Sequence, residues 1–456
     1  MKKLISLLAV ILCVVTLVAC LVACNEKGED AGVTIKFVTG FDDVVIDDIT
    51  LKQGVESYMP DDPLMVGYNF IGWFTDSEYT NEFDLTKGIT TDIVLYAKWE
   101  KKNANLDGEG EKPTVQDENG FVYSENADGT LTVVSFAGSA TAITISNTYD
   151  GKPIKTISAT AFANNANIES IHLGKNVAIL EHGVFSTNDK LTTFTVNAEN
   201  GTFSSNGGVL YSKDGKTLSR VGNGFEGTFI IPSTVSRIGE YAFAGATFDV
   251  TLKQEGNKVV VISNYAFASY EGKLTLSNNV MEILKYAFYG ATCEIDFVSA
   301  TVKRITNGAF DGYVGEKIVF NGNVEEVSDC AFNNSTAVID LSKAGLEKLG
   351  DRAFFGYAGE KITVPYSVKE IGSSAFYHSS ATVEFEENSL YLIVRENTFN
   401  QFYGDVVLPI SVNKVEKNAF YAMKSPSKVI FERAQSDITF EQGSFNLCGA
   451  EVIYQQ

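Results

Sequence analysis

The chain has 456 residues, 45% of them hydrophobic and 20% charged, with a formal net charge of -21. That length accommodates two or three ordinary domains or one long repeat array. The charge argues against a nucleic-acid partner, whose phosphates require a basic surface, and it favours solubility while repelling anionic surfaces. Beyond residue 24 only Cys293, Cys330 and Cys448 remain, an odd and sparse set that fits neither a disulfide framework nor a cysteine metal site.

The N-terminus reads Met1-Lys2-Lys3 followed by an apolar run from Leu4 to Ala23. A basic start, an apolar stretch and small residues before a cysteine describe a secretion signal over residues 1–24. An apolar run of about 20 residues can also span a bilayer. Two strings favour the signal: Leu17-Val18-Ala19-Cys20 and Leu21-Val22-Ala23-Cys24 each resemble the lipobox of bacterial lipoproteins. The resemblance implies acylation of one of these cysteines, which would become the mature N-terminus and attach the protein to the outside of the cell membrane. Cys20 and Cys24 remain alternatives.

Residues 31–100 form the next segment, with alternating apolar runs at Val33-Thr34-Ile35-Lys36-Phe37-Val38 and Ile93-Val94-Leu95-Tyr96-Ala97-Lys98-Trp99 that predict half-buried strands. Between them lies Gly67-Tyr68-Asn69-Phe70-Ile71-Gly72-Trp73-Phe74-Thr75-Asp76. This aromatic string resembles the internalin B-repeat, or Listeria-Bacteroides repeat, which implies a small β-grasp-like module serving as a spacer or adhesive unit. Both tryptophans, Trp73 and Trp99, read as core rather than as a sugar-stacking site, because large aromatics dominate small cores. The pairs Asp42-Asp43, Asp47-Asp48 and Asp61-Asp62 lack the spaced oxygen ligands of a calcium loop and read as solvated loops. Residues 101–119, rich in Lys, Asn, Asp, Glu and Gly, read as an acidic flexible linker.

After residue 120 a fixed period organises the chain. Phenylalanine recurs at 162, 185, 243, 267, 288, 310, 332, 354, 376, 399, 420 and 445, and an aliphatic residue such as Ile238, Ile305 or Leu349 stands five positions before it. Such regularity predicts a solenoid. Short strand-like segments such as Leu274-Thr275-Leu276 and Ile362-Thr363-Val364 should point their first and third residues inward and the middle one outward. The string Ile230-Ile231-Pro232-Ser233-Thr234-Val235-Ser236-Arg237-Ile238-Gly239-Glu240-Tyr241-Ala242-Phe243 and its counterpart from Val364 to Phe376 are similar to the BspA-like leucine-rich repeat, over residues 155–450. That resemblance implies a bacterial surface protein. The expected fold is a β-rich α/β repeat protein: a right-handed leucine-rich-repeat solenoid of about 12 rungs, preceded by the small β-grasp-like domain. Residues 120–158 are expected to form a β-rich cap and residues 159–456 the solenoid. The long gap between Phe185 and Phe243 should hold a hairpin insertion at about residues 200–228, turned by Asp214-Gly215. Gly215-Lys216-Thr217 mimics the end of a P-loop, but Leu210 stands where that motif needs glycine.

Alternate repeats resemble one another more than neighbours do. Three positions after phenylalanine the residues are Ala246, Tyr270, Ala291, Tyr313, Ser335, Tyr357, Ser379 and Phe402. The outward strand positions are Thr275, Asp296, Val319, Asp340, Thr363, Glu384 and Val407. Two candidate binding surfaces follow: an acidic and β-branched strip of Asp296, Asp340 and Glu384 with Thr275 and Thr363, and a tyrosine row of Tyr270, Tyr313 and Tyr357. Each has a plainer reading, the strip as a solvated, aggregation-resistant face and the row as big-small packing between rungs.

No catalytic residue is expected. His172, His182 and His378 occupy variable repeat positions, and no zinc-protease pair, nucleophile elbow or cysteine-histidine pairing occurs. No cofactor and no metal are expected either. The function expected is a lipid-anchored, adhesin-like binding protein whose partner is a host extracellular or bacterial surface protein. The alternative is a structural or glycan-binding component of the bacterium's own envelope, with cell-wall glycan as the ligand.

Overall fold

The computed structural model describes residues 33–40, 49–51, 68–83, 91–101, 114–252, 259–276, 279–297, 302–320, 324–386 and 392–455. The expected lipidation residues Cys20 and Cys24, the paired aspartates and most of the linker lie outside them. Two compact units divide between Glu111 and Lys112.

In the first unit, β-branched and aromatic runs pair into one sheet in the order Ile49–Leu51, Val33–Val38, Ile93–Lys101, Tyr68–Phe74. The two central strands run parallel and the flanking ones antiparallel. Alternation puts Val33, Ile35, Leu95 and Ala97 on one face with Trp73. Phe70 packs edge-on between the tryptophans, 5.3 Å from Trp73 and 5.4 Å from Trp99. The Trp99 indole N–H donates to the Thr39 carbonyl at 2.6 Å, so the polar edge of this ring is satisfied inside the domain. Both tryptophans therefore serve the core, as read from sequence.

The second unit begins with an antiparallel meander, Thr114–Gln116, Phe121–Glu125 and Leu131–Phe136. Its last strand pairs in parallel with Lys152–Ile157, converting an antiparallel edge into the first rung of the array. From there the chain winds as a β-solenoid of about 13 turns. Each regular turn contributes one strand to each of two parallel ladders. One ladder holds segments such as Lys273–Leu276, Lys317–Val319 and Lys361–Val364, and the other shorter ones such as Val302–Ile305 and Glu326–Val327.

Between the ladders the phenylalanines form a continuous stack. From Phe243 to Phe445 successive rings lie 4.9 to 5.6 Å apart and nearly parallel. The preceding alanine is small enough to let adjacent turns approach: Phe288 N–H donates to the Ala309 carbonyl and Phe310 N–H to that of Ala331, both at 2.8 Å.

The structure corrects the expectation of an α/β repeat. Among the described residues there is no α-helix, only a short 3-10 turn at Gln435–Asp437. The segment around each phenylalanine is a chain of tight turns, with Ala266 N–H bonded to Ser263 O and Ala268 N–H to Tyr265 O. Residues two positions before and after the phenylalanine, such as Tyr265 at φ 54° and Ser269 at φ 51°, adopt the left-handed conformation. A single such residue interrupts a right-handed helix. The hairpin insertion is present: Phe203–Asn206 and Val209–Ser212 pair antiparallel, as do Val209–Ser212 and Thr217–Arg220, and the last then rejoins the parallel ladder beside Arg237–Ile238.

Replacing Phe332, which is fully buried between Phe310 and Phe354, by alanine should cost about 3–5 kcal/mol. A lowered urea midpoint of the full chain reads that loss, and an unchanged midpoint would show that the stack is not a principal stabilising element.

Candidate binding surfaces

The outward positions of the longer ladder fall in register. Thr251 lies beside Thr275 and Thr275 beside Asp296. Further on, Val319 neighbours Asp340, Asp340 neighbours Thr363, Thr363 neighbours Glu384, and Glu384 neighbours Val407. The outward residues named from sequence are in register only within each sheet: hydrogen-bonded pairing breaks after Glu294–Asp296, which places Asp296 in a separate sheet from Asp340 and Glu384.

Its character is mixed rather than acidic. Lysines at the start of alternate strands reach the carboxylates of the next rung: Lys273 to Glu294 at 2.6 Å, Lys317 to Asp340 at 3.7 Å and Lys361 to Glu384 at 2.6 Å. Asp340 also accepts hydrogen bonds from the backbone N–H and hydroxyl of Ser342 at 3.1 and 2.6 Å. Burial opposes its ionisation, but the Ser342 bonds and the Lys317 charge outweigh burial and hold the carboxyl below the ordinary aspartate range. Exposed pairs of this kind contribute little to stability, about 0–1 kcal/mol each. Their effect is to leave a surface of alternating sign.

A second charged row went unread in the sequence. On the shorter ladder Glu282, Arg304, Glu326, Lys348 and Glu370 are consecutive register partners, and Arg304 forms an ion pair with Glu282. Charges of opposite sign recurring at the repeat length were the available signal. Opposite charges side by side in a ladder favour one pairing register over its alternatives.

The tyrosine row is corrected outright as a surface. Tyr270, Tyr313 and Tyr357 have no exposed area. The Tyr270 hydroxyl donates to Phe248 O at 2.8 Å, that of Tyr313 to Cys293 O and that of Tyr357 to Ala337 O, both at 2.5 Å. Each acceptor lies on the preceding turn, five positions after its phenylalanine, where a small residue at the third position leaves room for the ring. A Cβ on Gly315 or Gly359 would lie 2.1 Å from the hydroxyl oxygen of Tyr313 or Tyr357, so glycine is required two residues after the tyrosine. The two-rung period is therefore a packing and hydrogen-bonding device.

The surface tyrosines are different ones. Two positions before the phenylalanine, Tyr241, Tyr265 and Tyr286 occupy three consecutive rungs, half-buried, at φ between 54° and 56°. Gly183 and Gly308 hold the same turn position at either end of this run, also at positive φ. A bulky side chain in that conformation costs about 1–3 kcal/mol. The rings contact one another, Tyr241 to Tyr265 at 5.1 Å and Tyr265 to Tyr286 at 5.2 Å, and Tyr289, 37% exposed, stands edge-on 5.8 Å from Tyr286. Burial, aided by Glu240, pushes the Tyr241 phenol up to about 12, and burial with the Asp311 charge raises Tyr289, so both hydroxyls are protonated at neutral pH.

At the N-terminal end of this ridge the phenylalanine stack is interrupted. The buried core falls into two clusters that meet at Val209 and Leu210, and Arg220 spans the junction. Its Nη2 lies 3.1 Å from Phe185 O, 3.2 Å from Ala244 O and 2.9 Å from Asn223 Oδ1, while Nη1 donates to Tyr241 O. Its Nε finds no acceptor among the described residues. Burial lowers this guanidinium to about 10, which leaves it charged at neutral pH. A small cavity of about 70 Å³ opens beside it, lined in part by Tyr241 and by His182, which pairs with Glu240 at 2.9 Å.

His172 contacts the Thr195 hydroxyl at 2.9 Å and His378 lies 3.3 Å from that of Tyr403. Cys293, Cys330 and Cys448 form no disulfide. Among the described residues no group of three or more His, Cys, Asp or Glu is placed to hold a metal ion.

A two-ladder solenoid with a stacked phenylalanine per turn defines a leucine-rich-repeat array. The model of the BspA type leucine-rich repeat region matches in six copies, over residues 131–207, 226–339 and 337–451, and the chain belongs to that family. Residues 34–98 match the Listeria-Bacteroides repeat domain. Among solved structures, a leucine-rich repeat protein from Eubacterium ventriosum is 16% identical, with 59% of this chain and 95% of that one covered and a TM-score of 0.33. A leucine-rich cell surface protein from Faecalibacterium prausnitzii is 15% identical, with 74% and 100% covered and a TM-score of 0.27. The pneumococcal vaccine antigen PcpA is 18% identical, with 68% and 61% covered and a TM-score of 0.26. No curated protein matches the chain. The BspA-type repeats are non-catalytic, and the two repeat families together make this a non-catalytic binding module.

Two stability predictions follow from this geometry. An unfolded tyrosine ionises near pH ~10, whereas burial pushes Tyr270, Tyr313 and Tyr357 higher. Above pH ~10 the folded chain retains protons that the unfolded chain has lost, so stability is intact below that pH and declines above it. The triple variant Tyr270→Phe, Tyr313→Phe, Tyr357→Phe should lose about 1 kcal/mol per hydroxyl at neutral pH and show a flatter decline in an alkaline circular-dichroism titration. The variant Arg220→Met, which strands the Ala244 carbonyl, should lose roughly 2–5 kcal/mol and split a single thermal transition into two. A single unshifted transition would show that Arg220 does not couple the two core clusters.

Proposed function

We propose that this protein is an extracytoplasmic, lipid-anchored, adhesin-like binding protein, acylated at Cys20 or Cys24. In this reading residues 31–100 form a β-grasp-like spacer, and the linker read from sequence over residues 101–119 gives way to the strand Thr114–Gln116 before its end. Residues 120–158 cap a right-handed array, over residues 159–456, that presents recognition surfaces away from the membrane. The observation that carries the reading is the contrast within each rung. Inward positions repeat with little change, as the phenylalanine stack requires, while outward positions vary yet stay in register within each sheet, Thr275 with Asp296 in one and Val319, Asp340, Thr363 and Glu384 in the next. Membership in two bacterial surface-repeat families supports an extracytoplasmic, surface-exposed location. The lipobox-like strings support the anchor.

The test is a binding screen of the soluble chain, residues 31–456, against host matrix proteins, bacterial surface proteins and purified cell wall. Saturable binding to a surface protein is expected. Binding to cell wall alone would shift the function to the bacterium's own envelope. With a partner in hand, the triple variant Asp296→Asn, Asp340→Asn, Glu384→Gln should weaken binding about tenfold, or about 1.4 kcal/mol. Unchanged affinity would remove the strip from the binding surface.

A further inference from the structure

The ridge formed by Tyr241, Tyr265, Tyr286 and Tyr289 has no part in either sheet ladder or in the phenylalanine stack. The position two before the phenylalanine requires positive φ in every regular turn, and glycine meets that requirement without strain, as Gly183, Gly308 and Gly443 do in this same chain. Three consecutive rungs carry tyrosine instead. Cys330, Arg352, Ser374, Asn397 and Asn418 fill the same position at positive φ in later turns, so what sets the three rungs apart is the aromatic side chain itself. Mutual stacking alone does not account for the run, because each tyrosine keeps part of its surface in solvent.

The way the rings stack limits what they can take. Tyr241 and Tyr265 lie parallel, with an interplanar angle of 5°, so their faces cover each other and their edges and hydroxyls project. A sugar ring, which stacks on an aromatic face, finds little purchase there. Tyr289 stands across the stack and is the most exposed of the four. The charges near the ridge are mostly negative. Glu240 adjoins Tyr241, and the Asp311 carboxylate acts on both Tyr265 and Tyr289. One lysine, Lys285, lies 4.9 Å from the Tyr286 ring centre, which shows that this ring can receive a cation on its face. Glu240 is paired with His182, and Asp311 accepts from Asn333 at 3.2 Å.

We propose that this tyrosine ridge is a docking surface for an arginine-bearing segment of a protein partner, with guanidinium groups lying against the tyrosines between Glu240 and Asp311. The inference rests on the reading of the protein as a binding module and specifies one surface of it. Arginine fits better than lysine, because its rigid fork of N–H donors can reach a carboxylate and the projecting phenol oxygens at once. The net charge of -21 draws a basic partner from a distance, and partly buried tyrosines supply contact area at low conformational cost.

The probe is a fluorescent synthetic peptide alternating arginine and glycine, titrated against the full chain at about 0.15 M salt and followed by anisotropy. Its lysine counterpart is the control for general attraction to an acidic protein. Saturable binding of the arginine peptide, at least tenfold tighter than the lysine peptide, is expected. The variant Tyr241→Gly, Tyr265→Gly, Tyr286→Gly should lose that preference while keeping its thermal midpoint within a few degrees, since glycine suits the backbone there. Asp311→Asn should weaken the arginine peptide by a smaller factor. Equal binding of the two peptides, or an unchanged arginine preference in the glycine variant, overturns the proposal. If the glycine variant still binds a partner found in the screen with full affinity, the ridge is eliminated and the binding module stands. If the wild-type chain binds neither peptide nor any screened partner, both readings fall.

Discussion

The phenylalanine stack is the interaction on which the rest of the protein depends. One ring per turn, about 5 Å from the next, sets the same spacing as hydrogen-bonded β-strands, so the side-chain column and the two backbone ladders reinforce one repeat distance. Neither could vary without breaking the other. The residue before the ring is small in nearly every turn, alanine in most and Thr398 or Ser444 in two others, as this spacing requires. So do the left-handed turn residues, which fold the chain tightly around the ring where a helix would need more length.

Once the spacing is fixed, polar groups can be satisfied only in ways that fit it. The hydroxyls of Tyr270, Tyr313 and Tyr357 reach carbonyls on the preceding turn. Asn188 does the same with its amide, donating to Phe162 O and Asn165 O at 3.1 and 3.0 Å. Where the stack stops, at the hairpin insertion, the buried guanidinium of Arg220 gathers carbonyls from both sides. Its cost in desolvation is offset by charge-assisted hydrogen bonds. The interior is thus governed by the same distance throughout, whether the contact is aromatic, amide or ionic.

Much of this was legible in the sequence because periodicity survives projection onto one dimension. The interval between phenylalanines, the aliphatic residue five positions earlier and the Asp214-Gly215 hairpin each follow from local rules, and the outward strip of Thr275, Asp296, Asp340, Thr363 and Glu384 followed from strand alternation. Orientation around the turn was not legible. Tyr270 and Tyr286 are both tyrosines close to a phenylalanine, yet one points into the array and the other out. Three positions after the ring the chain passes under the next turn, while two positions before it the left-handed backbone turns the side chain outward. The lysines that neutralise Asp340 and Glu384 were missed because they come from the preceding rung, more than twenty residues away. No helix formed where an α/β repeat was expected, since positive-φ residues break each turn before a helical segment can start.

The alternation of small residue and tyrosine at the third position has a consequence for how such an array can change length. Ala246 makes room for Tyr270, Ala291 for Tyr313 and Ser335 for Tyr357, and each hydroxyl bonds the carbonyl two residues beyond the small one, of Phe248, Cys293 or Ala337. Removing a single rung from this region would set two tyrosines in one space or leave two small residues facing a void. Over that stretch, duplication or deletion preserves the interior only in even steps, and the number of rungs is counted in twos.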